Sequence, residues 1–204
     1  MSLDSPLVIP LIGLLYLLGF GALSYLRGQG LSVRFAVEGL IITAIGTVLR
    51  FASVPVHPIL FLIVLYLITM RVRLLVDVGN WFSARGKLQE ALAAYRLALR
   101  LGPDASSRQI VLINRGVAEL RACDPEGAYV TLTEALMGGG GQIGATHWAA
   151  CYYNLGLACR RTDREAEAIR RFNEAIAAWP DSIFGQAATR ELEKDSTDSV
   201  AESE

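Results

Sequence analysis

Apolar residues fall into two different patterns along this chain. From Leu7 to Leu26 they run for 20 residues without a charge, long enough for a helix to span a hydrocarbon core of about 30 Å. A second run, Phe35 to Val54, is interrupted by Glu38 and Arg50 near its ends, where long side chains reach the interface. A third, Ile59 to Met70, has 12 uncharged residues. It lengthens to about 17 if it starts near Val54, and Pro55 and Pro58 mark the turn before it. These runs predict three membrane-spanning helices, at 7–26, 35–54 and 55–71. The last two form a hairpin that crosses fully or dips in and returns. A cleaved signal peptide needs basic residues in front of the first run, and only Asp4 stands there. Gly39 and Gly46, seven apart, are placed to face a neighbouring helix.

After Met70 the pattern becomes helical with polar faces, and it repeats. Leu75, Val78-Gly79, Phe82, Gly86, Ala91, Tyr95, Ala98 and Pro103 recur at the same offsets as Tyr152, Leu155-Gly156, Cys159, Asp163, Ala168, Phe172, Ala175 and Pro180. A weaker copy lies between them: Leu112, Arg115-Gly116, Cys123, Ala128, Leu132 and Ala135. Small residues at Gly79, Gly116, Gly156, Ala91, Ala128 and Ala168 let two helices approach closely. Phe82, Tyr95, Tyr152 and Phe172 fill the space between pairs with large apolar area. Pro103 and Pro180 stop the second helix of a pair. No such pair buries its own face, so stacking supplies the core.

The pattern resembles the tetratricopeptide repeat family, whose unit is a helix-turn-helix of about 34 residues. The resemblance covers roughly residues 72–182. It implies an all-α protein, with N-terminal transmembrane helices followed by a right-handed α-solenoid. The units fall at about 72–105, 109–142 and 149–182, with a capping helix at 183–194. The anchor is then 1–71, the repeat domain 72–194, and 195–204 a disordered acidic tail. The middle copy departs from the family at Arg115, where Leu is preferred, at Glu119, where an aromatic is preferred, and at Gly140, where Pro is preferred. Extra residues are expected near Ala105–Arg108 and in a Gly138–Gly144 loop. With no breaker from Arg71 to Ala84 except Gly79, the third apolar helix is expected to continue into the first repeat helix.

Charge sharpens the division. Residues 1–76 hold seven of the 39 charged side chains, with a net of +3, and the remainder has a net of −4. Arginines cluster after the first run (Arg27, Arg34) and after the third (Arg71, Arg73). Basic residues favour the cytoplasmic side. Three spans then put the N-terminus outside and the repeats inside, as in a bacterial cytoplasmic membrane. An overall net charge of −1 gives no sign of nucleic acid.

Candidate chemistry is sparse. His57 and His147 stand apart, and no Cys/His set has metal-ligand spacing. Cys123, Cys151 and Cys159 are an odd number at wide spacing and read as buried small apolar residues. Gly138–Gly141 lacks the Lys-Ser or Lys-Thr and the strand of a phosphate loop. No nucleophile has an identifiable base. The expectation is a non-enzyme with no cofactor, metal or small-molecule substrate. Glu38 reads as interfacial rather than catalytic.

What remains is the face of the first helices, where the resemblance implies that ligands bind. Asn80, Asn114, Val117, Arg121, Tyr153, Leu157, Arg160 and Arg161 are the candidate protein-binding residues. Some family members clamp the carboxylates of a peptide C-terminus with Lys, Asn and Arg. Asn80 and Asn114 match two clamp positions, but Val76, Ala150 and Asn154 occupy the basic ones. A mixed groove, apolar with an arginine rim, suits an extended or helical protein segment instead. The expected role is a membrane-anchored scaffold or assembly factor at the bilayer surface, with a membrane-associated protein partner. The alternative is an accessory subunit of a larger membrane complex, held mainly by its transmembrane helices.

Overall fold

The computed structural model describes residues 5, 7–26, 32–138 and 143–201. Among them all regular structure is helical, in ten helices. They divide into two units at Leu74–Leu75.

The first unit holds α1 (Val8–Leu26), α2 (Val33–Phe51) and α3 (Pro58–Thr69). Ser32 caps α2 by accepting from the Phe35 amide, and Pro58 opens α3 at a position where its missing N–H costs nothing. Small residues bring the helices together. A Cβ on Gly39 would lie 2.4 Å from Leu17 of α1, and one on Gly46 would lie 2.7 Å from Phe61 of α3 and 3.1 Å from Ile9 of α1. Both glycines are buried, as their spacing predicts. Ile9, Tyr16, Phe61 and Leu65 form the small core, and Tyr16 shares a hydrogen bond with Thr69 (2.7 Å). Glu38 accepts from Arg34 (2.7 Å) and from both terminal nitrogens of Arg71 (2.6 and 2.8 Å).

Two expectations change here. The third span shortens to α3, which at 12 residues measures about 18 Å. Among the described helices only α1 is by itself long and apolar enough to cross a membrane, and α3 with the following helix makes at most a second. Nor does α3 run on unbroken. The chain leaves helical geometry at Met70 (φ −101°, ψ 7°). Arg71 donates to the Ile68 carbonyl (2.5 Å) while holding Glu38, so its side chain finishes α3 instead of extending it.

The second unit is a series of hairpins: α4 (Arg71–Ala84) with α5 (Leu88–Arg100), α6 (Ala105–Arg121) with α7 (Pro125–Met137), and α8 (Ala145–Arg160) with α9 (Glu165–Ala178). α10 (Ile183–Ala201) follows. Each pair closes on the predicted glycine. A Cβ on Gly79, Gly116 or Gly156 would lie 2.4, 2.5 or 2.6 Å from Tyr95, Leu132 or Phe172 of the partner helix. Ala91, Ala128 and Ala168 face back with no exposed surface. The three turns are alike. Gly86, Cys123 and Asp163 have φ of 74°, 60° and 59°, and the next amide bonds to Phe82, Glu119 or Cys159 oxygen (3.0, 2.9 and 2.9 Å). This left-handed residue and six-to-one hydrogen bond is a Schellman closure.

Hairpins stack in order: α6 packs on α5, α8 on α7, α10 on α9, and α8 also touches α6 and α10. The continuous core runs through Leu112, Leu132, Leu155 and Phe172. Ala105–Arg108 are not a loop insertion. They form the first turn of α6, which Asp104 caps by accepting from the Ser107 amide (2.8 Å). α8 likewise starts at Ala145, four residues before the predicted repeat edge. Gly138 ends α7, and 139–142, with the departure at Gly140, lie outside the described residues. α10 continues past Lys194 to Ala201, where a disordered tail is expected. No Gly or Pro follows Gly185, so nothing in the backbone chemistry stops the helix.

Candidate functional site

The first helices α4, α6 and α8 carry seven of the eight candidate residues, and the eighth, Arg161, is the C-cap of α8. Their C-terminal ends are laced together. Arg121 of α6 donates to Ser83 Oγ of α4 (2.8 Å), and Arg161 of α8 donates to the Leu120 carbonyl of α6 (3.1 Å). A cation beside the last carbonyls of a helix also meets the negative end of its dipole. Arg121 and Arg161 are both exposed, so each ties two helices and still presents charge at the surface.

Along the same helices Asn114, Val117, Tyr153 and Leu157 are half-buried. Asn114 donates to the Ile110 carbonyl one turn back (2.8 Å). Asn80 accepts from the Tyr95 hydroxyl (2.7 Å), and burial pushes that phenol up to about 12. Tyr153 and Arg160 turn toward the end of the stack. The Tyr153 ring lies 5.9 Å from Phe172 and 6.1 Å from Phe184 of α10. Arg160 bonds Glu191 of α10 (2.6 Å) and sits 4.8 Å over the Phe172 ring. Asn80, Tyr153 and Arg160 thus have partners within the fold, as do Asn114, Arg121 and Arg161, while Val117 and Leu157 are half-buried apolar residues on the same helices.

Solved structures of similar shape include the first TPR of Spaghetti (RPAP3) bound to HSP90 peptide SRMEEVD, at a TM-score of 0.53. Identity is 21%, over 63% of this chain and 93% of that one. No family model matches this chain, and no curated protein does. The likeness shows the fold. It is an all-helical stack of tetratricopeptide-type hairpins.

Within that fold two of the three departures of the middle repeat, Arg115 and Glu119, are partners. Arg115 Nε donates to Glu119 Oε1 at 2.8 Å, one helical turn apart. Glu119 is only 5% exposed, so an ion pair lies where the resemblance calls for Leu and an aromatic. The i, i+4 spacing was the available signal for this pair. Ser83 and Glu191, the partners of Arg121 and Arg160, gave no such signal because each lies on another helix.

Chemistry stays sparse. Among the described residues no cluster of His, Cys, Asp and Glu is arranged to hold a metal. Cys151 and Cys159 are buried, and burial pushes their thiols up to about 12 and about 11. A thiol so raised is a poor nucleophile at neutral pH. Cys123 departs from expectation: it is exposed, in the turn between α6 and α7. A shallow open depression is lined by Ala145, Trp148, Tyr152, Glu174, Ala177 and Ala178 on α8 and α9. None of the candidate residues belongs to it.

Proposed function

We propose that this protein is a membrane-anchored interaction scaffold, which holds a partner protein on the first-helix face of its hairpin stack. The observation that carries the reading is the half-buried strip Asn114, Val117 and Leu157 beside exposed Arg121 and Arg161. Such a strip offers apolar area for a segment's side chains and cations for its carbonyls or acids. The Spaghetti domain is solved with the acidic HSP90 peptide SRMEEVD, whereas two of this chain's candidate clamp positions are already engaged or covered. Asn80 is engaged by Tyr95, and Val76 is buried. A partner segment with alternating apolar residues suits it better than an acidic tail.

Membrane anchorage is supported by where the apolar side chains of the first unit point. Leu15, Leu18, Leu40, Ile45, Leu60 and Ile63 are 48–61% exposed, on all three helices. Water-soluble surfaces rarely carry so much contiguous apolar area, whereas acyl chains solvate it. With α1 as the span, the only described helix long and apolar enough by itself, the basic-residue rule places Arg34, Glu38 and Arg71, which follow it, on the cytoplasmic side.

The test is site-specific photo-crosslinking in native membranes from position 157, with position 130 on α7 as control. A discrete adduct with one membrane-associated protein, absent from the control, is the expected result. Equal labelling from both positions, or none from 157, would remove the first-helix face as the binding surface.

A further inference from the structure

The first hairpin ends the stack, and its outer face does not match the faces that meet a preceding hairpin. Two residues after the packing glycine stand Ala118 in α6 and Ala158 in α8, both fully buried, and these helices pack on α5 and α7. The equivalent residue in α4 is Trp81, which is 51% exposed. An indole does not fit where a methyl fills the space, so this face is not shaped for another repeat. Arg85 lies 3.6 Å over the Trp81 ring, and Val78, one turn back, is also exposed.

Charge singles out the same hairpin. Residues 71–100 carry six cations, Arg71, Arg73, Arg85, Lys87, Arg96 and Arg100, against Asp77 and Glu90. Residues 101–204 carry 10 cations against 16 acids, so the domain's mild acidity conceals a basic first hairpin. In the later hairpins Arg108, Arg115, Arg160, Arg164 and Arg171 hold carboxylates. Arg73, Arg85, Lys87, Arg96 and Arg100 are exposed and hold none among the described residues. Unpaired like charges disfavour a second copy on this face and favour an anionic surface.

We propose that the outer face of α4, around Val78, Trp81 and Arg85, docks on anionic phospholipid. Amphipathic aromatics with flanking cations settle at the headgroup level, and juxtamembrane basic residues draw to acidic lipids. Position in the chain agrees: α4 starts one residue after the apolar helix α3. The proposal rests on the anchored reading and adds a second, peripheral contact to it.

Full-length protein reconstituted into vesicles with bromine-labelled acyl chains tests it, with all three tryptophans present. In phosphatidylglycerol-containing vesicles, bromine is expected to quench a component of the emission. Trp81→Phe removes that component, and Arg85→Glu with Lys87→Glu or pure phosphatidylcholine vesicles reduce it. Co-flotation with the vesicles is measured in parallel. Protein that floats with vesicles but shows no quenched component assignable to Trp81 overturns lipid docking while leaving the anchor standing. Quenching indifferent to lipid charge and to the Glu substitutions overturns the anionic preference. Failure to float with any vesicle overturns the anchored reading itself, and this proposal with it. Helicity by circular dichroism, unchanged in the variants, keeps misfolding apart from these outcomes.

Discussion

Hairpin α8–α9 is covered within the repeat unit by α7 on one side and α10 on the other, whereas α4–α5 packs on α6 through α5 and leaves Trp81 of α4 exposed. The two share one pattern, with the same glycine against the same buried ring: Gly79 under Tyr95, Gly156 under Phe172. Their surroundings separate them. In α8–α9 the cations other than Arg161 are held in ion pairs: Arg160 with Glu191, Arg164 with Glu126, Arg170 with Glu167, and Arg171 with Glu167 and Glu174. In α4–α5 all but Arg71 are exposed, beside an exposed tryptophan. Identical internal packing therefore serves two purposes. One hairpin stabilises the stack from its middle, and the other offers an unfinished end.

The largest effect expected from this contrast is on Phe172→Ala. Phe172 has no exposed surface, and truncating such a ring costs about 3–5 kcal/mol. In a stack where each unit leans on its neighbours, the loss spreads. Hydrogen exchange should accelerate through α6–α10. Tyr95→Ala removes an equally buried ring, yet its effect should stay within α4–α5, because only one neighbour depends on it. Acceleration of equal extent in the two variants would erase the distinction between middle and end.

Next in size is the ion pair that links α6 to neither of these extremes. Arg115→Leu leaves the Glu119 carboxylate buried without its partner, a loss of about 1–3 kcal/mol. Glu119→Tyr alone should cost a similar amount by stranding Arg115. The double variant restores the apolar pair of the other repeats and should recover most of the loss, since buried ion pairs exchange well for apolar ones of like volume. Chemical denaturation of the four chains gives the coupling. Additive losses would mean that the two departures do not compensate each other.

How much of this was legible in the sequence follows from range. The hairpins were, because glycine, alanine and aromatic recur at fixed offsets and meet across a short turn. The two glycines of α2 were as well, from their spacing alone. Contacts between hairpins were not. Arg121 to Ser83 spans 38 residues and Arg160 to Glu191 spans 31, and no periodicity encodes either. That is why the contacts of Arg160 and Tyr153, two expected groove residues, with α10 were not foreseen. The third apolar run misled for a related reason. Composition marks Met70 as helical, but Arg71 reaches back to Glu38, 33 residues away, and ends the helix there. The outward-facing cations of α4–α5 were hidden by averaging over the whole domain.

A pH effect distinguishes the two hairpins more gently. His147 in α8 has a half-buried ring, and its Nδ1 has no hydrogen-bond partner among the described residues. Burial holds its pKa below the ordinary value of 6.5. The folded chain therefore resists a proton that the unfolded chain accepts. Stability is complete above about pH 6.5 and falls as pH drops through the folded pKa. The melting temperature should decline from pH 7.5 toward pH 5.5, and His147→Gln should flatten that decline. Because α4–α5 contains no histidine, a probe at Trp81 should report little of it. An unchanged slope in His147→Gln would place the sensitivity elsewhere.

The smallest effect concerns the turns, where the hairpins are most alike. Gly86, Cys123 and Asp163 occupy one left-handed position. A side chain there costs about 1–2 kcal/mol, and glycine avoids that cost while losing about 0.5–1 kcal/mol of chain entropy on folding. Cys123→Gly should thus gain a few tenths to 1 kcal/mol, seen as a small rise in melting temperature. Gly86→Cys should lose as much, by the same exchange in reverse. The two differ in reach. Cys123 closes a hairpin inside the stack, so its gain should register in the global transition. Gly86 closes the end hairpin, so its loss should appear first as faster exchange in α4 and α5, with the transition of the remaining helices hardly moved. If Gly86→Cys lowered the global transition as far as Cys123→Gly raised it, the first hairpin would be as fully coupled to the stack as the third.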